Sequence, residues 1–251
     1  MGDWKRALER FIGEWRKEDF VEAALLTGSY AVGLETERSD VDVYIILSND
    51  VDWRERGNVV IDGILIEYFA NPSKQIMRYL EEEFASYSRS TARIIAMGKA
   101  LFDKTGITED LKAEAFEYLR KPFGRPDETW VELSKYFLWD HLDSLKDAGE
   151  RSDPSFGYLY HLALSRALEV YSKFLGTETP PASKVCRLFR DGRFRDAYMF
   201  EEYPDREFVV LFLNALKETN AENLERVIER VLEKMGGFSI DGWRLRTKVG
   251  V

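Results

Sequence analysis

The chain reads as an α+β protein: a small mixed β-sheet domain with flanking helices over residues 1–106, then an all-helical bundle domain over 107–251. Three observations predict this. Short β-rich runs occur up to about residue 105 and hardly beyond it. Asp62-Gly63 sits between two such runs, the signature of a type I′ hairpin. From 108 onward, segment after segment repeats its apolar residues at helical spacing. Strands first and helices afterwards suggest two domains rather than an alternating α/β chain.

The elements follow in order. Residues 3–18 form an amphipathic helix, because Trp4, Ala7, Leu8, Phe11, Ile12 and Trp15 recur on one face. "VEAALLT" (21–27) is short, apolar and followed by glycine, as a buried strand would be. "VDVYIILS" (41–48) is a second strand, rich in β-branched residues. The hairpin covers 58–69. Helices are expected to start near Pro72 and Ser90, and "KALFDKTG" (99–106) is a short strand ending in a turn. Helical periodicity then covers 108–120, 127–148, 156–175, 181–190, 205–217 and 221–235. The tail "GFSIDGWRLRTKVGV" suits either a docked extension or a short hairpin.

Composition narrows the function. The 251 residues carry a formal net charge of −9, which argues against a non-specific duplex nucleic-acid binder and suits a cationic small molecule. The single cysteine, Cys186, allows no intramolecular disulfide, and with His141 and His161 it makes no usual structural zinc set. Both histidines sit in aromatic runs and read as packing residues. No apolar run approaches the about 18 residues needed to span a membrane, and "MGDWKRALERF" has no secretory core, so a cytoplasmic setting is expected.

The chemistry concentrates in "LLTGSYAVGLETERSDVDVYIILSND". Asp40 and Asp42 are two apart, which on a strand puts both carboxylates on one face about 7 Å apart. They repel unless a cation lies between, and a hard, oxygen-seeking ion such as Mg²⁺ is the natural occupant; two such ions can clamp a phosphoryl displacement. Glu67 interrupts the apolar run "ILIEYF" and completes a set of metal ligands, or acts as a base, if its strand lies beside 41–48. Gly28-Ser29 falls where a strand hands over to a helix, where glycine permits close approach and amides attract phosphate. Gly28 and Gly33 frame a P-loop spacing, but Leu34-Glu35 stands where a P-loop needs Lys-Ser/Thr. Asp40 after Ser39 alone would pass for a turn residue; the five residues together would not.

"GSYAVG…SDVDVYIIL" resembles the Gly-Ser…Asp-x-Asp signature of the DNA polymerase β-like nucleotidyltransferase superfamily, over roughly residues 20–105. Glu67 stands where that superfamily commonly has its third carboxylate. More faintly, "ALSRALEVYSKFLGTETPPASKV" resembles a helix-loop-lysine element of aminoglycoside adenylyltransferases, which would make Lys184 a nucleotide-phosphate contact. Val32 departs from the pattern, since small members often carry arginine there. The resemblance implies Mg²⁺-dependent transfer of a nucleoside monophosphate, AMP from ATP, to the hydroxyl of a small molecule such as an aminoglycoside. It assigns Asp40, Asp42 and Glu67 to metal and catalysis, and Gly28, Ser29 and Lys184 to the nucleotide. In the helical half, Glu132 and Asp140 are candidate acceptor contacts, and Arg187, Arg190, Arg193 and Arg195 make a basic patch near Lys184. The rival reading is a non-catalytic nucleotide-binding protein or an antitoxin-type partner of the same fold; the intact acid set favours an enzyme.

Overall fold

The computed structural model describes residues 3–247. The first helix, α1 (Trp4–Trp15), is capped by Asp3, whose carboxylate accepts from the Arg6 amide, and it buries Ala7, Leu8, Phe11 and Ile12. There follow β1 (Val21–Thr27), a short α2 (Gly28–Val32), β2 (Val41–Leu47), β3 (Glu55–Ile61), β4 (Ile64–Pro72), α3 (Ser73–Ala85), α4 (Ser90–Met97), β5 (Lys99–Asp103) and α5 (Ile107–Arg120). The five strands form one mixed sheet in the order β3-β4-β2-β1-β5. β2 and β4 are parallel and the other pairs antiparallel.

Strand alternation divides the core between two faces. Val41, Val43, Ile45 and Leu47 pack with Ile66, Ala70 and α1 on one. Tyr44, Ile46, Ala23 and Leu25 pack with Ile76, Leu80, Ile95 and Leu111 of α3, α4 and α5 on the other. The β3–β4 turn has the expected form: Asp62 and Gly63 both take positive φ, 53° and 81°. β3 begins earlier than the pattern indicated, at Glu55, because Glu55-Arg56-Gly57 pair with Tyr68-Phe69-Ala70 despite having little apolar content.

The chain divides into two compact units. The first runs to Lys121 and takes in 196–200; the second comprises 122–195 and the residues after 200. The change falls one helix beyond the 106/107 boundary drawn from the sequence. Leu111 and Ala115 of α5 are buried against the sheet's helical face, which holds α5 to the strands. Within the first unit, Arg93 is 5% exposed, lies 3.5 Å from the Phe200 ring centroid and donates to the Met199 carbonyl.

The second unit consists of α6 (Glu128–Glu150), α7 (Phe156–Leu175), α8 (Val185–Arg190), α9 (Gly192–Ala197), α10 (Arg206–Lys217) and α11 (Ala221–Lys234), with the end of α9 passing into the first. Leu138, Leu145, Tyr160, Tyr171, Phe208, Phe212, Val227 and Ile228 fill its core. A half-buried ionic group ties it together. Asp205 accepts from Arg230 Nε and Nη2 at 2.9 and 3.1 Å, from the Tyr171 hydroxyl at 2.6 Å and from the Phe208 amide at 3.0 Å. Burial pushes the Asp205 carboxyl up, but these hydrogen bonds and the Arg230 charge outweigh it and hold the carboxyl at about 2.

α8 begins at Val185 rather than 181, since Pro181 to Lys184 form a turn closed by the Lys184 amide on the Pro181 carbonyl. The tail is a docked extension as far as it is described: Trp243 stacks on Tyr136 with centroids 4.5 Å apart, and no strand forms among its described residues. Residues 248–251 of that tail lie outside the described residues.

Candidate active site

Three strands converge on the candidate site. Antiparallel pairing sets Thr27 of β1 opposite Asp42, and parallel pairing sets Glu67 of β4 opposite Asp42 on its other side. Residues opposite one another in a sheet point to the same face. Asp40 precedes β2, positioned by a tight turn in which the Thr36 amide donates to Ser39 Oγ at 2.8 Å and the Ser39 amide to the Thr36 carbonyl at 3.0 Å. One carboxylate oxygen from each of Asp40, Asp42 and Glu67 lies within 4.8 Å of the others, and all three residues are half-buried. The proximity that residue spacing predicts for Asp40 and Asp42 is present, and Glu67 joins them.

Gly28 abuts the same group. Its φ is +63°, a left-handed conformation, and a Cβ placed on it would lie 1.8 Å from Asp42 Oδ2. Only glycine lets the chain turn from β1 into α2 this close to the carboxylate. Ser29 is the next residue of that short helix, which Gly33 closes in a left-handed conformation. Val32 is half-buried on α2, so no cation stands at that position.

Glu67 has a cationic neighbour that pattern reading missed. Arg56 Nη2 donates to Glu67 Oε1 at 2.8 Å, and its guanidinium lies 4.7 Å from the Phe69 ring centroid. The signal was present: Arg56 and Asn58 alternate along β3, so once Asn58 is paired with Glu67, Arg56 must share its face. Beside this pair, on the α3/α4 face of the sheet, is a cavity of about 560 Å³ lined by Tyr44, Arg54, Arg56, Phe69, Tyr79 and Ile94 among others. Tyr44 and Phe69 stack at 6.2 Å with a 16° interplanar angle. Burial pushes the Tyr44 hydroxyl up, and Asn71 donates to it at 3.1 Å.

The remaining candidates lie in the second unit. Lys184 precedes α8 at its N-cap position. Glu132 accepts from Lys135 Nζ at 2.6 Å, a helix-surface ion pair with a buried lysine. Arg187 lies over the Phe194 ring and Arg195 Nη1 donates to the Leu188 carbonyl, so these arginines brace α8 and α9. His141 is half-buried; His161 is exposed, edge-on to Tyr160, and is not the packing residue its aromatic run suggested. The α7 stripe buries Tyr160, Ala163 and Leu164, which turns His161 outward.

Residues 8–101 match the family model described as nucleotidyltransferase domain, the polymerase β-like family to which the Gly-Ser and Asp-x-Asp elements point. The matched segment contains Gly28, Ser29, Asp40, Asp42 and Glu67 and ends before the helical unit. Among solved structures, a nucleotidyltransferase-like protein from Exiguobacterium sibiricum 255-15 is similar at 14% identity and a TM-score of 0.46, over 92% of this chain and 74% of that one. No curated protein matches. Among the described residues, no helix is long and apolar enough to cross a membrane.

Proposed function

We propose that the protein transfers a nucleoside monophosphate, AMP from ATP, to the hydroxyl of a small-molecule acceptor in a divalent-metal-dependent reaction. One observation carries this reading: three carboxylates, from the start of β2 and from β4, meet within 4.8 Å beside a glycine turn packed directly against Asp42. The donor set fits a hard cation, since every candidate ligand is a carboxylate oxygen and, among the described residues, no His or Cys joins the group. Asp40, Asp42 and Glu67 would hold Mg²⁺, which when bound would neutralise charge on the phosphoryl oxygens.

The chain's own residues then have separate tasks. Gly28 admits the triphosphate close to the backbone, and the Ser29 hydroxyl donates to its β/γ oxygens. Glu67, the third ligand or the base, receives the acceptor's proton as its oxygen bonds to the α-phosphorus and the bond to pyrophosphate breaks. Most of the rate enhancement comes from positioning and charge complementarity. The acidic charge balance of the chain suggested a cationic, aminoglycoside-like acceptor; Arg56 beside Glu67, and Arg54 in the same cavity, bear on that choice and favour another.

The test is transfer of label from α-labelled ATP to an acceptor panel with Mg²⁺. Asp42→Ala is expected to lose essentially all transfer while keeping its circular dichroism spectrum. Turnover retained by that variant overturns the carboxylate assignment. Nucleotide binding by the wild type with no transfer to any acceptor would support the non-catalytic reading instead.

A further inference from the structure

The cavity beside Glu67 has no role in the transfer step described above. We infer that it binds the acceptor, and that the acceptor is a small molecule carrying an anionic group, a carboxylate or phosphate, on a ring or planar body. This rests on the transfer reading.

The first support is direction. Attacking and leaving oxygens lie roughly in line across a phosphorus. In the sheet order, Gly28 and Ser29 leave β1 on one side of Asp42, whereas the cavity extends from Tyr44 of β2 itself to β3 and β4 residues on the other, with α3 and α4 closing it from above the sheet. Pyrophosphate held at Gly28-Ser29 departs toward β1, so the hydroxyl must approach from the side of Glu67. Phe69 is two residues along β4 from Glu67, and Tyr44 two along β2 from Asp42, so the cavity starts about 7 Å from the carboxylates. An acceptor of modest size spans that gap.

The second support is charge. Two acids line the cavity and both are engaged. Glu83 accepts from the Thr91 amide at 2.6 Å and from Thr91 Oγ1 at 2.7 Å; Glu55 accepts from the Tyr68 hydroxyl. The two arginines are less committed. Arg54 gives Nη1 to the Tyr79 hydroxyl and Arg56 gives Nη2 to Glu67. A guanidinium has further N–H donors in a planar fork, which suits a carboxylate or phosphate and repels an ammonium. The third support is the floor: half-buried Phe69, in a row between the buried Tyr44 ring and the Arg56 guanidinium, gives the cavity an apolar base beside its cation, and the cavity's size is that of ordinary small-molecule sites.

The test uses the full chain and three matched probes: meta-(hydroxymethyl)benzoate, its amide and the corresponding benzylamine. Calorimetry without nucleotide should show the benzoate binding about tenfold tighter than the amide, with the amine weakest. The preference should vanish in the Arg54→Ala/Arg56→Ala double variant and return in part in the Arg54→Lys/Arg56→Lys variant. Both positions are exposed, and circular dichroism confirms the fold. The benzoate should also bind alongside Mg²⁺ and the non-hydrolysable analogue AMPCPP. No benzoate preference, a preference that survives the double alanine variant, or displacement of the benzoate by AMPCPP overturns the inference; the last would make the cavity a nucleotide pocket. Failure of Mg²⁺-AMPCPP to bind at all would instead sink the transfer reading, and the nucleotide-free comparison keeps the two failures separate.

Discussion

Gly28 and Gly63 have the same sign of φ, but their surroundings differ. A Cβ at Gly63 meets nothing within 4 Å, whereas at Gly28 it would strike the Asp42 carboxylate. Gly63→Ala should therefore cost about 1 kcal/mol from conformational strain and leave transfer intact. Gly28→Ala should cost at least as much and also displace Asp42, lowering transfer by about a hundredfold or more. Urea unfolding and labelled-ATP assays on the two variants check this; equal activity in both would mean that Gly28 is only a turn residue. Glu67 shows the limit of reading residue by residue. Its place in an apolar run marked it as unusual, but its partner Arg56 lies on another strand and needed the register to be seen.

At the scale of elements, the hairpin and most of the helices were legible because their signals are local: Asp-Gly for the turn, apolar spacing for the helices. The early start of β3 was not, because its first residues are held by pairing with β4 and not by their own preference. The α7, α10 and α11 contacts supply a pH prediction. Asp205 lies below its unfolded value, so its ionised form favours the folded state. That stability is fully present above about pH 4 and is lost as pH falls toward about 2. Asp205→Asn should cost about 2 kcal/mol near neutrality, from the lost charge-assisted bonds to Arg230, and should flatten the acid limb of the stability curve. Denaturant melts at several pH values measure it; an unchanged acid limb in the variant would refute the assignment.

At the scale of the molecule, three carboxylates share one small site with Arg56 paired to one of them, an excess of negative charge that a divalent cation would relieve. Mg²⁺ should therefore raise the midpoint of thermal unfolding by a few degrees, about what one kcal/mol of linkage supplies in a chain of this size. EDTA should reverse the rise, and Asp42→Ala should abolish it. A rise that persists in Asp42→Ala would place the metal elsewhere. The second unit offers a control, since Phe208 is fully buried there. Phe208→Ala should cost about 3 to 5 kcal/mol, read in the same melts, and leave Mg²⁺ binding unchanged.

By itself the sequence determined the α+β class, the approximate places of most strands, the Asp40/Asp42 pair and the Gly28 turn after β1, because each is encoded within a few neighbouring residues. Tertiary structure decided the rest. Parallel pairing of β2 with β4 brings Glu67 to Asp42 across 25 residues of chain, and the antiparallel β3 brings Arg56 to Glu67. Packing of Leu111 and Ala115 keeps α5 with the sheet. Strand partners and helix docking are chosen by which faces bury one another, a property of the assembled surfaces that no local pattern contains.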